Sequence, residues 1–425
     1  MKNGKRILVL VAVTGLLMAG VLASVGQAET VSMLHTYTSG MAPANVLADV
    51  IEQYETRNPG VKIKEIAMDQ QVYEDGGLLT ALQGGSPPDI YHIIGQWELL
   101  ELVRDGYGRD ITDLCEDWFT AYFWPFTWSH VMKDNRIYGI PHRVSICPLM
   151  WYNKSYFEEY GLDKPQTWPE FVNVAETLKE NGVTPMLFGN AQLWMFGNFS
   201  GSVCAMVAGR ELHEKVLDLE PGTSFDNPAY VRAFTLLAEL GEKSFVNPDM
   251  NSLKWTPSTM SWFQGVGAMH PNGTWVATLA EEGAPEDFRY GAFALPLPAG
   301  SQGNQYIQGQ VEHYMVNENT AVAEEAVDFL KVFSHPINQA EMIHAGNLAP
   351  EEQAYFLAGT IDPTLNMIKE TLVGVGDFVG VPDEYHSVEV ADTFYQGAAA
   401  VVAGEKAPQE ALRWIDERLE PARTR

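Results

Sequence analysis

Three tryptophans stand close to side-chain amides: Trp97 beside Gln96, Trp194 near Gln192, and Trp275 near Asn272. This pattern suits a carbohydrate. A sugar ring offers CH-rich faces on which an indole stacks. Its hydroxyl edges are met in pairs by amides, acids and guanidinium groups. Phe378, next to Asp377, repeats the pattern of a ring beside a polar group. A single tryptophan of this kind is more often a core residue. Three of them, each in a loop after a predicted strand, point to a cleft.

The residues give no positive case for bond-making chemistry. HExxH, GxSxG, a phosphate-binding Walker loop and GxGxxG are all missing from the sequence. With 55 acidic residues, an apparent glycosidase pair carries no information. The ten histidines are scattered. Cys115, Cys147 and Cys204 lack CxxC spacing, so three buried single thiols are expected and neither a metal nor a cofactor is.

The elements that must carry these residues follow from periodicity. Val31 to His35 reads as a strand and Thr36 to Gly40 as a polar loop. Leu47, Val50, Ile51 and Tyr54 repeat at helical spacing, and Val61 and Ile63 alternate with lysines, so the chain starts as a parallel βαβ unit. Ile90 to Ile94 is a short buried strand before Gln96 and Trp97. Open α/β sheets bind ligands beyond the carboxyl ends of their strands, which places Tyr37, Thr38, Gln96 and Trp97 on one rim. The aromatic run over 121–130 reads as core. Thr167 and Glu170 form a capping box, with Pro169 in the first turn of a helix. Pro185 to Phe188 and Val266 to Met269 read as strands, each leading to a loop that carries Trp194 or Trp275. A strand over Val311 to Val316 follows Gln310, and the C-terminus is helical.

A chain of 425 residues is too long for one ordinary core, so two domains are expected. The net charge of −28 repels phosphate backbones and anionic lipid, which excludes nucleic acid as a partner class. Residues 1–28 read as a secretion leader. Lys2, Lys5 and Arg6 precede an apolar stretch, and Gly26 and Ala28 suit cleavage before Glu29.

In its landmarks and their order, the chain resembles the extracellular solute-binding proteins of ABC importers, sugar type, like maltose-binding protein. The landmarks are Glu55-Thr-Arg-Asn-Pro-Gly-Val-Lys-Ile63, Gly84-Gly-Ser-Pro-Pro-Asp-Ile90, Tyr138-Gly-Ile-Pro141 with Trp151-Tyr-Asn-Lys154, Thr167-Trp-Pro-Glu-Phe171, Gly267-Ala-Met-His-Pro-Asn-Gly-Thr-Trp275, Ala323-Glu-Glu-Ala-Val-Asp-Phe-Leu330 and Ala403-Gly-Glu-Lys-Ala-Pro-Gln-Glu-Ala-Leu412. The resemblance implies an α/β periplasmic-binding-protein-like fold. Two α/β lobes are joined by extended hinge crossings, with the ligand between them. It divides the chain into an N-lobe (29–140 and 291–347) and a C-lobe (141–290 and 348–425). Crossings are expected near 141–145, 290–296 and 345–351.

The ligand contacts it implies are Tyr37, Thr38, Gln96, Trp97, Arg143, Ser145, Gln192, Trp194, Asn272, Trp275, Gln310 and Phe378. The chain departs from the family pattern at Gln96, where an acid is common, at Tyr37, where a Trp is common, and at Arg143 and Ser145, which replace an acid after the first crossing. Arg143 either salt-bridges an acidic sugar or pairs with one of the many surface carboxylates, and the second is favoured. The implied function is a monomeric periplasmic receptor that binds a mono- or oligosaccharide and delivers it to the transmembrane subunits of an ABC permease. The competing readings are a receptor for a phosphate ester or polyamine, and a secreted carbohydrate-active enzyme.

Overall fold

The computed structural model describes residues 28–375 and 378–423. The leader up to residue 27 and Asp377 lie outside the described residues.

The opening βαβ unit forms as its periodicity requires. β1 (Glu29–His35) and β2 (Val61–Ala67) pair in parallel with Glu29 opposite Val61. The helix between them, Ala42–Arg57, buries Leu47, Val50, Ile51 and Tyr54 against the sheet. β3 (Ile90–Ile93) lies on the other side of β1, also in parallel. A short hairpin, β4 (Met132–Lys133) and β5 (Arg136–Ile137), then turns the chain into β6 (Gly139–Ile146). β7 (Leu149–Asn153), β8 (Met269–Asn272) and β9 (Tyr290–Phe293) form a second sheet in the order β8–β7–β9.

The two sheets communicate through long strands. β6 runs antiparallel to β10 (Ile307–Val316), from Gly139 opposite Met315 to Ile146 opposite Gly309. The C-terminal half of β10 also pairs with β3, and its start pairs in parallel with β11 (Phe378–Gly380). β6 covers the segment expected as the first crossing and runs from the first sheet toward β7 in the second. Residues 290–293 pair with β7 inside the second sheet, and the chain returns along β10. We propose a lobe boundary near residue 306 on this ground, and β11 belongs to the first sheet although its neighbours in sequence do not. The third segment lies along β6, where the Val144 N–H donates to the Leu348 carbonyl at 2.9 Å.

Smaller departures have local causes. Pro185 has no N–H to extend a ladder, so 185–188 contributes only a bridge, at Met186, to both Val246 and Met269. The strand expected over 266–269 instead starts at Met269 and continues to Asn272, because β7 supplies a partner through Leu149.

Three apolar cores result. One lies under the first sheet, one among the C-lobe helices around Phe196, Phe234 and Phe394, and one around Trp151, Trp262 and Leu348. The three cysteines are buried single thiols, and no disulfide is found among the described residues.

β6 and β10 approach closely at one point. A Cβ on Gly309 would lie 2.2 Å from the Ser145 carbonyl oxygen, a backbone atom that cannot rotate away. Gly309→Ala should therefore destabilise the protein by about 1–3 kcal/mol. Urea denaturation measures this; an unchanged midpoint would show that the crossings are not packed in this register.

Candidate functional site

Strand direction determines which loops meet. β1 and β3 run side by side in parallel, so the loops leaving them place Tyr37, Thr38, Gln96 and Trp97 at one edge. In the second lobe Met186 bridges in parallel to Val246 and to Met269. The chain leaving these three segments, over 189–194, 247–255 and 273–275, therefore emerges at one edge as well.

That second edge gathers three indoles. Trp194 and Trp275 lie with ring centroids 5.7 Å apart at 66°, and Trp194 and Trp255 6.0 Å apart at 62°. All three are half-buried. Trp275 is positioned by its own turn. A Cβ on Gly273 would fall 2.2 Å from the indole, so the ring folds over the backbone only because that position is glycine. Asn272 holds the turn: its Oδ1 accepts from the Gly273 N–H at 2.7 Å and its Nδ2 donates to Thr259 Oγ1 at 3.1 Å. The Trp275 indole N–H is buried and has no hydrogen-bond partner among the described residues.

The base of the crossings holds a polar network around one carboxylate. Arg143 Nε donates to Glu312 Oε1 at 2.8 Å, and its second nitrogen donates to Oε2. Ser145 Oγ donates to Oε1 at 2.8 Å, and His92 Nε2 lies 3.0 Å from Oε2. Arg143 also reaches Asn347 Oδ1 on the third segment, at 3.4 Å. Burial pushes the Glu312 carboxyl up, but Arg143 and His92 outweigh it and hold it well below the usual carboxylate range.

Beside this pair, Tyr37 Oη lies 3.3 Å from His142 Nδ1, and the His142 ring stacks on Tyr314 at 4.4 Å. Burial pushes the Tyr37 hydroxyl up to about 12. Burial also lowers His92 and His142, and His92 depresses His142 further. Ligand atoms of His92, His142 and Glu312 lie within 4.8 Å of one another, a spacing that a metal ion could use. Both Glu312 oxygens are already engaged by Arg143, so the cluster works as an ion pair rather than an open ligand set.

The structure sorts the expected contacts as follows. Trp194 and Trp275 come together, and Gln192 is exposed beside them, its Oε1 accepting from the Trp255 N–H at 3.4 Å. Arg143 pairs with Glu312, a buried carboxylate of the protein and not one of the surface acids expected from sequence. Ser145 serves the same pair, and half-buried Gln310 sits opposite it across the strands. Tyr37 is 3% exposed and faces the hinge. Gln96 and Trp97 open a helix at the first rim, half-buried, with Gln96 Nε2 donating to the Ser129 carbonyl. Thr38 is half-buried in the loop after β1.

Two expectations are corrected. Asn272 is fully buried and its amide is engaged within the lobe, so it shapes the turn instead of reaching a ligand. Phe378 is 6% exposed and stacks 5.3 Å from Phe126, at the end of a column that continues through Trp124 to Tyr355. The column draws Trp124 and Phe126, half-buried, out of the run read as core. Sequence reasoning missed Trp255, which has no amide neighbour, and Glu312. The visible signal for Glu312 was a lone acid in the apolar stretch Val311 to Val316.

Comparison with known proteins gives three results. The model of the family described as bacterial extracellular solute-binding protein matches residues 39–340. An uncharacterized ABC transporter extracellular-binding protein of Pyrococcus horikoshii is 26% identical over 64% of this chain, and the match spans 62% of that relative's length. A multiple sugar-binding protein of Streptococcus mutans is 22% identical over 67% of each chain. A solved chitin oligosaccharide binding protein superposes with a TM-score of 0.80 at 21% identity, covering 94% of this chain and 100% of its own.

The hinge histidines give a pH dependence with a definite sign. Burial lowers His92 and His142, and holds His35 at about 4 and His313 at about 3. In the unfolded chain a histidine titrates near ~6.5. The stability they contribute is therefore complete above that pH and is lost as pH falls toward the folded values. Unfolding free energy from urea titrations should decline from about pH 6.5 downward, and His142→Gln should make that slope shallower by about 1.4 kcal/mol per pH unit. Equal slopes in variant and parent would contradict a neutral His142 in the folded protein.

Proposed function

The chain belongs to the bacterial extracellular solute-binding protein family, and we propose that it is the sugar receptor of an ABC importer, with the saccharide held between the two lobes. The observation that carries this reading is the cluster of three half-buried indoles, Trp194, Trp255 and Trp275, at one edge of the second lobe. The names of relatives and neighbours support it: a multiple sugar-binding protein and a chitin oligosaccharide binding protein. The leader-like residues 1–28 fit export to the periplasm, and among the described residues no helix is long and apolar enough to cross a membrane.

In this account Trp275 and Trp194 stack on sugar faces, while Gln192, Thr38 and the rim at Gln96 and Trp97 meet hydroxyl edges. The ligand gains contacts from both lobes only when they approach, so binding shifts the population toward the closed form, which then docks on the permease subunits. A phosphate ester would need an uncommitted cation near the hinge, and Arg143 is already engaged there by Glu312, which speaks against it. A secreted carbohydrate-active enzyme is the remaining reading, and product release from oligosaccharides on long incubation would establish it.

Trp275→Ala removes one stacking face at a position where the ring is half-buried. Titration calorimetry against a panel of mono- and oligosaccharides should show an affinity loss of about tenfold or more, ~1.4 kcal/mol, with the unliganded melting temperature nearly unchanged. Undiminished sugar affinity in the variant would overturn the assignment of this wall.

A further inference from the structure

We infer that Glu351 is a proton-held latch of the third segment: while its carboxyl is neutral, residues 347–351 stay seated against β6 and the Trp124 turn, and loss of the proton releases them. The inference concerns the hinge alone and does not depend on which solute the cleft takes.

Four consecutive residues of this segment are tied to other parts of the fold. Asn347 Oδ1 accepts from Arg143 at 3.4 Å and the Leu348 carbonyl from the Val144 N–H at 2.9 Å, both on β6. The Ala349 carbonyl accepts from Tyr355 Oη at 3.3 Å, and the Pro350 carbonyl from the Trp124 N–H at 3.1 Å. Glu351 follows at once, at the N-cap of the helix Glu352–Ala358. An acid at that position ordinarily turns its oxygens to the open N–H groups of the first turn. Glu351 makes no such bond. It is 0% exposed, and neither carboxylate oxygen has a hydrogen-bond partner among the described residues.

The groups around it supply no counter-charge in contact. Burial raises the Tyr122 and Tyr355 hydroxyls, and the charge of Glu351 raises both further, so the carboxyl lies near these two rings. Trp124 stacks on Tyr355 at 5.8 Å, and the His335 ring lies 5.7 Å from that of Tyr122. Two cations border this part of the hinge, and each is placed on another group. Lys369 Nζ lies over the Tyr355 ring at 5.6 Å, and Arg143 is held by Glu312. A lone ionised carboxylate is too costly to bury in such a place, so the group keeps its proton instead. Burial pushes the Glu351 carboxyl up to about 8, whereas in the unfolded chain a glutamate titrates near ~4.3.

The sign follows from that difference. A carboxyl raised in the folded state contributes stability that is complete below ~4.3 and is lost as pH rises toward the folded value. Opening the segment lets water reach the carboxylate and restores its ordinary acidity. Between the two values each pH unit therefore favours the opened segment about tenfold.

Hydrogen exchange resolved to single amides tests this in the full mature protein, from pH 6.5 to 8, above the range in which the hinge histidines act. Rates are corrected for the intrinsic base-catalysed rate at each pH. The Val144 and Trp124 amides donate to the segment, and in the parent their protection should fall about tenfold per pH unit. In Glu351→Gln, which keeps the shape of the neutral acid and cannot ionise, their protection should stay constant. Glu351→Met gives the same comparison should the glutamine variant fold poorly. The β1 amides bonded to β2 should keep their protection in every variant. Constant protection of Val144 and Trp124 in the parent overturns the latch, and so does an equal decline in the glutamine variant. A parallel decline in β1 would assign the effect to global unfolding and overturn it too.

Discussion

The architecture depends on a buried ion pair, Glu312 with Arg143. Glu312 comes from the returning strand β10 and Arg143 from the outgoing strand β6. Removing two charges from water costs several kcal/mol per ion unless their hydrogen bonds are complete. Here the carboxylate is well supplied: Ser145 and His92 join Arg143 on its two oxygens, and Asn347 accepts from the guanidinium. One group thus gathers both crossing strands, the third segment and the end of β3. Its cost is offset only while all of these segments keep their places, so the pair favours a single hinge register.

That arrangement separates two tasks. The hinge is polar and buried; its central carboxylate is engaged by Arg143, Ser145 and His92, while Glu351 on the third segment is buried with neither carboxylate oxygen partnered among the described residues. Half-buried rings lie near it: Trp275, Trp124 and Phe126 pack against one core, and Trp194 touches Trp275. A ligand meets rings that are already positioned, which reduces the ordering it must impose.

Much of this was legible in the sequence. The βαβ start, the Thr167 cap and the turn before Trp275 follow from local periodicity and glycine and proline placement. What was not legible depended on partners distant in the chain. Residues 290–293 and 307–316 are both extended and largely apolar, and only pairing shows that the first closes a sheet while the second crosses. Asn272 looked like a ligand contact because Thr259, which engages it, sits in another helix. Arg143 could be weighed between a ligand and a carboxylate, but Glu312 lies 169 positions away. Trp255 had no local companion, and its place against Trp194 emerges only from the fold.

The central claim is that two lobes joined by this hinge close on a saccharide. Small-angle scattering of the mature protein, with and without a saturating saccharide whose binding has been established by calorimetry, tests it most directly. The account predicts that the radius of gyration falls on binding and returns when the sugar is dialysed away. A radius that stays the same while the sugar is demonstrably bound would contradict closure as the basis of recognition.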